Sequence, residues 1–275
     1  MGWTDNTRSM YLFLINPEAG NRRFARVEQQ MHRLLKRYGV KYRFIMIDNL
    51  DRVAELIKQN LKSTDHGVVA VGGNATVNAV INALVGEDVP VGIIPMSKTN
   101  HLAYSLGLKR LPAAIKALAE HDLRSERLGK IGQHYFVGSV EVAARASLLT
   151  QYLRKTNPWL KFLGLAKPVT PEDGTPTLIE LDDEVQVKSR AHRLQIQLNG
   201  VNNDKKLKLT LFASPNPDTA SILHSDAVAI ESDIKMPVII GNETVAHTPV
   251  EIKGLTKYVR LIVPKEPRLT ATESS

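Results

Sequence analysis

VVAVGGNATVNAVINAL, residues 68–84, changes character in its middle. The first four residues form a short apolar run suited to a buried strand. Gly72 and Gly73 break the run, and Val77, Val80, Ile81 and Leu84 then recur on one helical face. Strand, tight glycine turn and helix in immediate succession are the unit of an α/β sheet. Glycine tolerates positive φ and close approach to the backbone. A helix start offers unpaired N–H groups and the positive end of a dipole, a setting that suits phosphate. The same turn also serves as an ordinary tight connection, and the pattern alone leaves both readings open.

Working outward, the same alternation recurs. Residues 10–15, MYLFLI, read as a strand ending in the turn composition of Asn16, Pro17, Glu18, Ala19 and Gly20. Phe24, Val27, Met31, Leu34 and Leu35 keep helical spacing until Gly39. Residues 42–47 predict a second strand, and Val53, Leu56, Ile57 and Leu61 a second helix. Residues 91–94 predict a fourth strand. Ser97, Thr99 or Asn100 can cap a short helix after it, and Pro112 suits the first turn of another. The expectation is a parallel sheet wrapped by helices, whose crevice lies at the carboxyl ends of the strands. Loops 16–21, 72–76 and 95–101 would line it.

The texture changes near residue 123. Residues 130–142, 178–187, 193–198, 207–213, 227–231, 237–240, 249–253 and 259–263 read as strands. Turn signals separate several of them, which predicts a β-sandwich. Residues 143–165 predict one or two helices, either packed in a core or forming an amphipathic surface toward lipid. The expected organisation is an α/β domain over residues 1–125, a β-sandwich domain over 126–265 and a disordered tail over 266–275.

Composition narrows the function classes. The 275 residues are 43% hydrophobic and 23% charged, which fits a globular chain with a substantial core. The chain has no cysteine, so thiol catalysis, disulfides and thiolate zinc sites are excluded. No apolar run is long enough to span a bilayer, and the first ten residues lack signal-peptide features. A cytoplasmic chain, peripheral to a membrane where it docks, is the expectation. The net charge of +8 favours anionic partners such as nucleotides or lipid headgroups. The charge is scattered and aromatics make up only 5%, so nucleic acid is not expected as a partner.

NPEAG at 16–20, VGGNAT at 71–76 and GIIPMSKTNHLAYSLGL at 92–108, in that order and followed by a strand-rich half, resemble the diacylglycerol kinase family. That family includes sphingosine and ceramide kinases and bacterial lipid kinases. NAD kinases share the glycine-rich motif; Asn16-Pro17 and the GIIP stretch favour the lipid kinases. The resemblance implies an NAD-kinase- and diacylglycerol-kinase-like α/β domain. It also implies ATP and Mg²⁺ as cofactors and phosphorylation of a lipid hydroxyl at the membrane surface. Carried over position by position, it assigns nucleotide binding to Asn16, Gly20, Gly72, Gly73, Asn74, Thr76, Lys98 and Asn100.

The departures from the family pattern share one direction. Asn74 stands where the family has Asp, Ala75 where it has a third glycine and Ala79 where it has Glu. Ser97 and Thr99 replace loop glycines, Lys98 a threonine and His101 an Asp. The C-terminal Asp-Gly-Glu motif is matched best by Gly241, Asn242 and Glu243, so the position to which the resemblance assigns the base is a glycine here. Magnesium is held by carboxylates, water and phosphate oxygens, and an attacking hydroxyl needs an acceptor for its proton. These substitutions remove carboxylates from such places and count against Mg²⁺ binding. Glu243 and His101 remain as candidates for the base, each also readable as an ordinary turn or helix-start residue. Lys98 is either a substitute phosphate cation or a solvent-facing lysine. The preferred expectation is a nucleotide- or lipid-binding pseudokinase with weak or lost turnover. The alternatives are an active lipid kinase with atypical metal and base residues and, less strongly, an NAD-kinase-like enzyme.

Overall fold

A computed structural model of the chain describes residues 10–96, 100–143, 174–198, 206–213, 220–241 and 243–265. Contacts divide the chain into two compact units, Met1–Ser125 with Val259–Ser275, and Glu126–Tyr258. The residues from 259 onward thus group with the α/β half, although the sequence pattern assigns residues up to 265 to the strand-rich half.

In the first unit the strands β1 (Tyr11–Ile15), β2 (Tyr42–Met46), β3 (Gly67–Gly72) and β4 (Val91–Pro95) lie in the order β2-β1-β3-β4, all parallel. The end of the last strand, β16 (Val250–Val263), continues the sheet, with Leu261 opposite Val91. Every residue of β1, β3 and β4 is buried, as expected of parallel strands covered on both faces. Each large apolar side chain so buried contributes about 1.5–3 kcal/mol. Helix α1 (Ala19–Arg37) buries Phe24, Met31 and Leu35. It ends in a Schellman closure: Gly39, at φ 68, donates to the Lys36 carbonyl, and Val40 to that of Leu35. A single 3-10 turn (Leu50–Arg52) precedes α2 (Val53–Asn60). Helices α3 (Asn74–Ala83), α4 (His101–Ser105) and α5 (Leu111–Glu120) follow their strands as the spacing predicts, with Pro112 in the first turn of α5.

The second unit contains two sheets around one core. One runs β16-β13-β8-β9, from β8 (Thr175–Leu181), β9 (Val185–Ala191) and β13 (Ala227–Ser232) with the start of β16; β5 (Asp122–Ile131) pairs with β16 and with β6 (His134–Phe136). The other is six-stranded, β12-β11-β10-β7-β14-β15. It is built from β7 (Ser139–Ala143), β10 (Arg193–Leu198), β11 (Leu207–Phe212), β12 (Ala220–Ser225), β14 (Pro237–Ile240) and β15 (Glu243–His247). Val142, Leu194, Ile196 and Leu209 of the second sheet share a buried cluster with Ile179, Val228, Ile230 and Ile252 of the first. This is the sandwich arrangement.

Several strand boundaries differ from the expectation. Residues 130–142 form parts of three strands, not one, because turns at Gly132 and Gly138, both at positive φ, interrupt them. Residues 178–187 hold a hairpin. Its turn residues Asp182 and Asp183 adopt φ 53 and 59, so two aspartates perform the bend that glycine would have signalled. Residues 249–253 and 259–263 are two ends of the single strand β16, and β12 and β15 were not anticipated. The expected helices at 143–165, the expected tail, Lys98 and the turn signals at 199–204, 214–217 and 242 lie outside the described residues.

Candidate functional site

Parallel strands bring the loops after β1, β3 and β4 to one end of the sheet. The Asn16 amide donates to the Val71 carbonyl at 3.0 Å, and the Met96 amide to the Gly72 carbonyl at 2.9 Å. The three predicted loops are therefore anchored to one another at their roots.

Asn16 is fully engaged in that anchoring. Its Oδ1 accepts from the Glu18 amide at 3.1 Å, and its Nδ2 donates to Thr76 Oγ1 at 3.2 Å. Thr76 has no exposed surface. A Cβ on Gly72 would lie 2.3 Å from Thr76 Oγ1 and 2.4 Å from Thr76 Cβ. Gly72 is thus demanded by helix–strand packing: the first-turn threonine of α3 covers the strand end. Among the expected nucleotide residues, Asn16, Gly72 and Thr76 form the frame of the turn.

The binding face is made by what this frame presents. Gly73 is extended, at φ −89 and ψ −167, and no side chain caps α3. The start of this ten-residue helix carries the positive end of its dipole, a setting that suits an anion. Asn74 is the first residue of α3 and is half-buried. Gly20 takes φ 62 in the opening turn of α1. Asn100 is completely buried and caps α4, its Oδ1 accepting from the Ala103 amide at 3.0 Å. Its Nδ2 has no partner among the described residues.

Carboxylates at this end of the sheet are committed elsewhere. Glu18 pairs with Arg22 at 3.0 Å. The Asn49 amide and, further down, the Arg52 guanidinium hold Asp48 below the usual carboxylate range. Among the described residues no group of three or more histidines, aspartates or glutamates is placed to hold a metal ion. The donor set of side-chain amides and backbone N–H groups fits phosphate oxygens.

The two base candidates belong to different units. His101 opens α4, but its side chain lies outside the described residues. Glu243 begins β15 in the strand-rich unit, half-buried, and burial raises its carboxyl above the ordinary value. Sequence reasoning missed the second role of Asn16 as a lock on Thr76. Its signal, a polar residue at a strand end 60 positions from its partner, is not periodic.

A family model described as the diacylglycerol kinase catalytic domain matches residues 10–131. Sphingoid long-chain bases kinase 1 of Arabidopsis thaliana is 22% identical over 286 residues, covering 94% of this chain and 36% of that protein. An uncharacterized protein of Synechocystis sp. is 23% identical over 264 residues, covering 80% of this chain and 60% of that protein. The chain therefore spans less than two thirds of either relative. A crystal structure of a diacylglycerol kinase from Bacillus anthracis str. Sterne aligns with a TM-score of 0.70 at 15% identity, covering 94% of this chain and 98% of that one. At that identity the likeness is one of fold.

Proposed function

We propose that the chain, whose residues 10–131 match the diacylglycerol kinase catalytic domain, binds a nucleotide at the glycine turn with its phosphoryl transfer weak or lost. One observation carries this reading. The crevice loops offer neutral amides and an uncapped helix start, and Glu18, the one carboxylate in their sequence, is paired with Arg22.

In this reading the β- and γ-phosphates lie against the first-turn amides of α3, which the extended Gly73 leaves accessible. The Asn100 Nδ2 supplies a buried donor. Asn74 contributes a neutral amide where the family has a carboxylate. Lys98 and Gly20 belong to the same loops and add a cation and backbone approach. Asn74 and Ala79 stand at positions where the family has carboxylates, which weakens the hold on the magnesium that neutralises phosphate charge in phosphoryl transfer generally. Binding is therefore expected without it. The lipid partner and a peripheral membrane position follow from the family and the basic charge. Among the described residues no helix is long and apolar enough to cross a membrane.

A second reading, an active lipid kinase with atypical residues, is favoured by Glu243. A carboxyl raised by burial is better matched to accepting a hydroxyl proton near neutrality.

Calorimetric titration of ATP with Mg²⁺ and with EDTA, beside phosphoryl transfer to diacylglycerol and sphingoid bases, separates the readings. Comparable affinity in both buffers with no transfer supports the proposal. Sustained, Mg²⁺-dependent lipid phosphorylation that Glu243→Gln abolishes would establish the second reading instead.

A further inference from the structure

At the end of the sheet opposite the glycine turn, where β1 and β3 begin, a cavity of about 160 Å³ is lined by Tyr11, Lys41, His66, Leu118 and His121, with the 38–40 turn closing it. The His66 and His121 rings stand 5.4 Å apart, centroid to centroid, at 52°. Nothing in the nucleotide site uses them.

The hydrogen bonds fix the tautomer of His121. The Tyr11 hydroxyl has a single proton, and the Leu118 carbonyl, 2.9 Å away, can only accept it. The Tyr11 oxygen must then accept from His121 Nδ1, 2.5 Å away. His121 is therefore held with its proton on Nδ1 and a lone pair on Nε2. A neutral imidazole with Nδ1–H tied to an oxygen is the arrangement that readies Nε2 for a metal.

We infer that His66 and His121 form a two-histidine site for a borderline divalent cation of the zinc, nickel or copper class, with water completing the shell. The ring spacing matches the chemistry. Metal–nitrogen bonds near 2.0–2.1 Å at a tetrahedral angle put two imidazole centroids about 5 Å apart. Imidazole ligands suit these ions and not magnesium. The carboxyl-terminal ends of α1 and α5 both border the cavity, and their dipoles favour a cation. The opposing charges are Lys41, on the cavity wall, and Arg260, which is neutralised by Asp88 at 2.6 Å. The two histidines are 55 positions apart, with only the fold to bring them together.

The test is calorimetric titration of the untagged, chelator-stripped full chain with Zn²⁺ and with Ni²⁺, beside Mg²⁺. One site per chain is expected for Zn²⁺ and Ni²⁺, with no heat from Mg²⁺ at this site. His66→Gln and His121→Gln should each weaken binding at least about tenfold, and Tyr11→Phe, which frees the tautomer, by a similar factor. Circular dichroism shows which variants keep the fold; His66→Gln alone decides the matter if His121→Gln does not. Undetectable Zn²⁺ binding, or binding that His66→Gln leaves unchanged in a folded protein, overturns the inference.

Discussion

At the residue scale, Gly72 and His121 show how differently one position can matter. At Gly72 even a methyl group would press on the Thr76 Cβ, so shrinking Thr76 to alanine gives no relief. Gly72→Ala should cost about 3 kcal/mol, read as a lowered denaturant midpoint at unchanged slope. At His121 the effect is electrostatic. The unfolded chain takes up a proton near pH 6.5 that the folded His121 resists. The contribution to stability is complete above pH 6.5 and is lost as pH falls below it. His121 also sits at φ 50, a left-handed conformation that asparagine tolerates. His121→Asn should therefore keep the fold and flatten the stability profile between pH 7 and 5, measured by urea midpoints across that range. Glu243 has the opposite sign. Its raised carboxyl favours the folded state only at acid pH, and that benefit is gone as pH rises past the raised value. Glu243→Gln should raise the thermal midpoint slightly at pH 7, by well under about 1 kcal/mol because the side chain is half in solvent.

At the element scale, the starts of α3 and α4 solve the same problem in two ways. Helix α4 is capped from within by Asn100, while α3 has no side-chain cap. Gly73→Asp would supply one. It should leave stability unchanged or raise it by up to about 1 kcal/mol, and abolish ATP binding by placing a negative charge where phosphate belongs. Asn100→Ser keeps a cap oxygen but removes the buried Nδ2. It should weaken ATP binding severalfold at a small stability cost, whereas Asn100→Ala should lose about 1 kcal/mol more with the cap. Paired calorimetry and denaturation of the two Asn100 variants check this separation.

At the scale of the whole molecule, a ligand that binds only the folded state stabilises it by about 2.7 kcal/mol at a hundred times its Kd. ATP should therefore raise the unfolding midpoint of the chain by a similar increment in Mg²⁺ and in EDTA. A shift seen only with Mg²⁺ would show that carboxylates outside the described loops complete a metal site. The strand-rich unit is not expected to answer to nucleotide in the Gly73→Asp variant, which serves as the control.

The order of strands and helices from residue 10 to 120 was legible because burial imposes a period on the chain: two for strands, 3.6 for helices, with glycine and proline marking the breaks. The three loop motifs were legible for the same reason, since each sits where a periodic run ends. Strand limits in the second half were harder to read. Asp182 and Asp183 make a turn without glycine, and β16 runs 14 residues where the pattern shows two shorter runs. What only the tertiary structure decided are the relations between distant residues. Asn16 locks Thr76, so two expected ligands are framework. Asn100 keeps an interior amide without a partner among the described residues, and His66 meets His121 beside Tyr11. Periodicity records which face of an element is buried, one element at a time. Hydrogen bonds, charges and ring contacts between elements depend on register and approach, and those are fixed only when the elements pack.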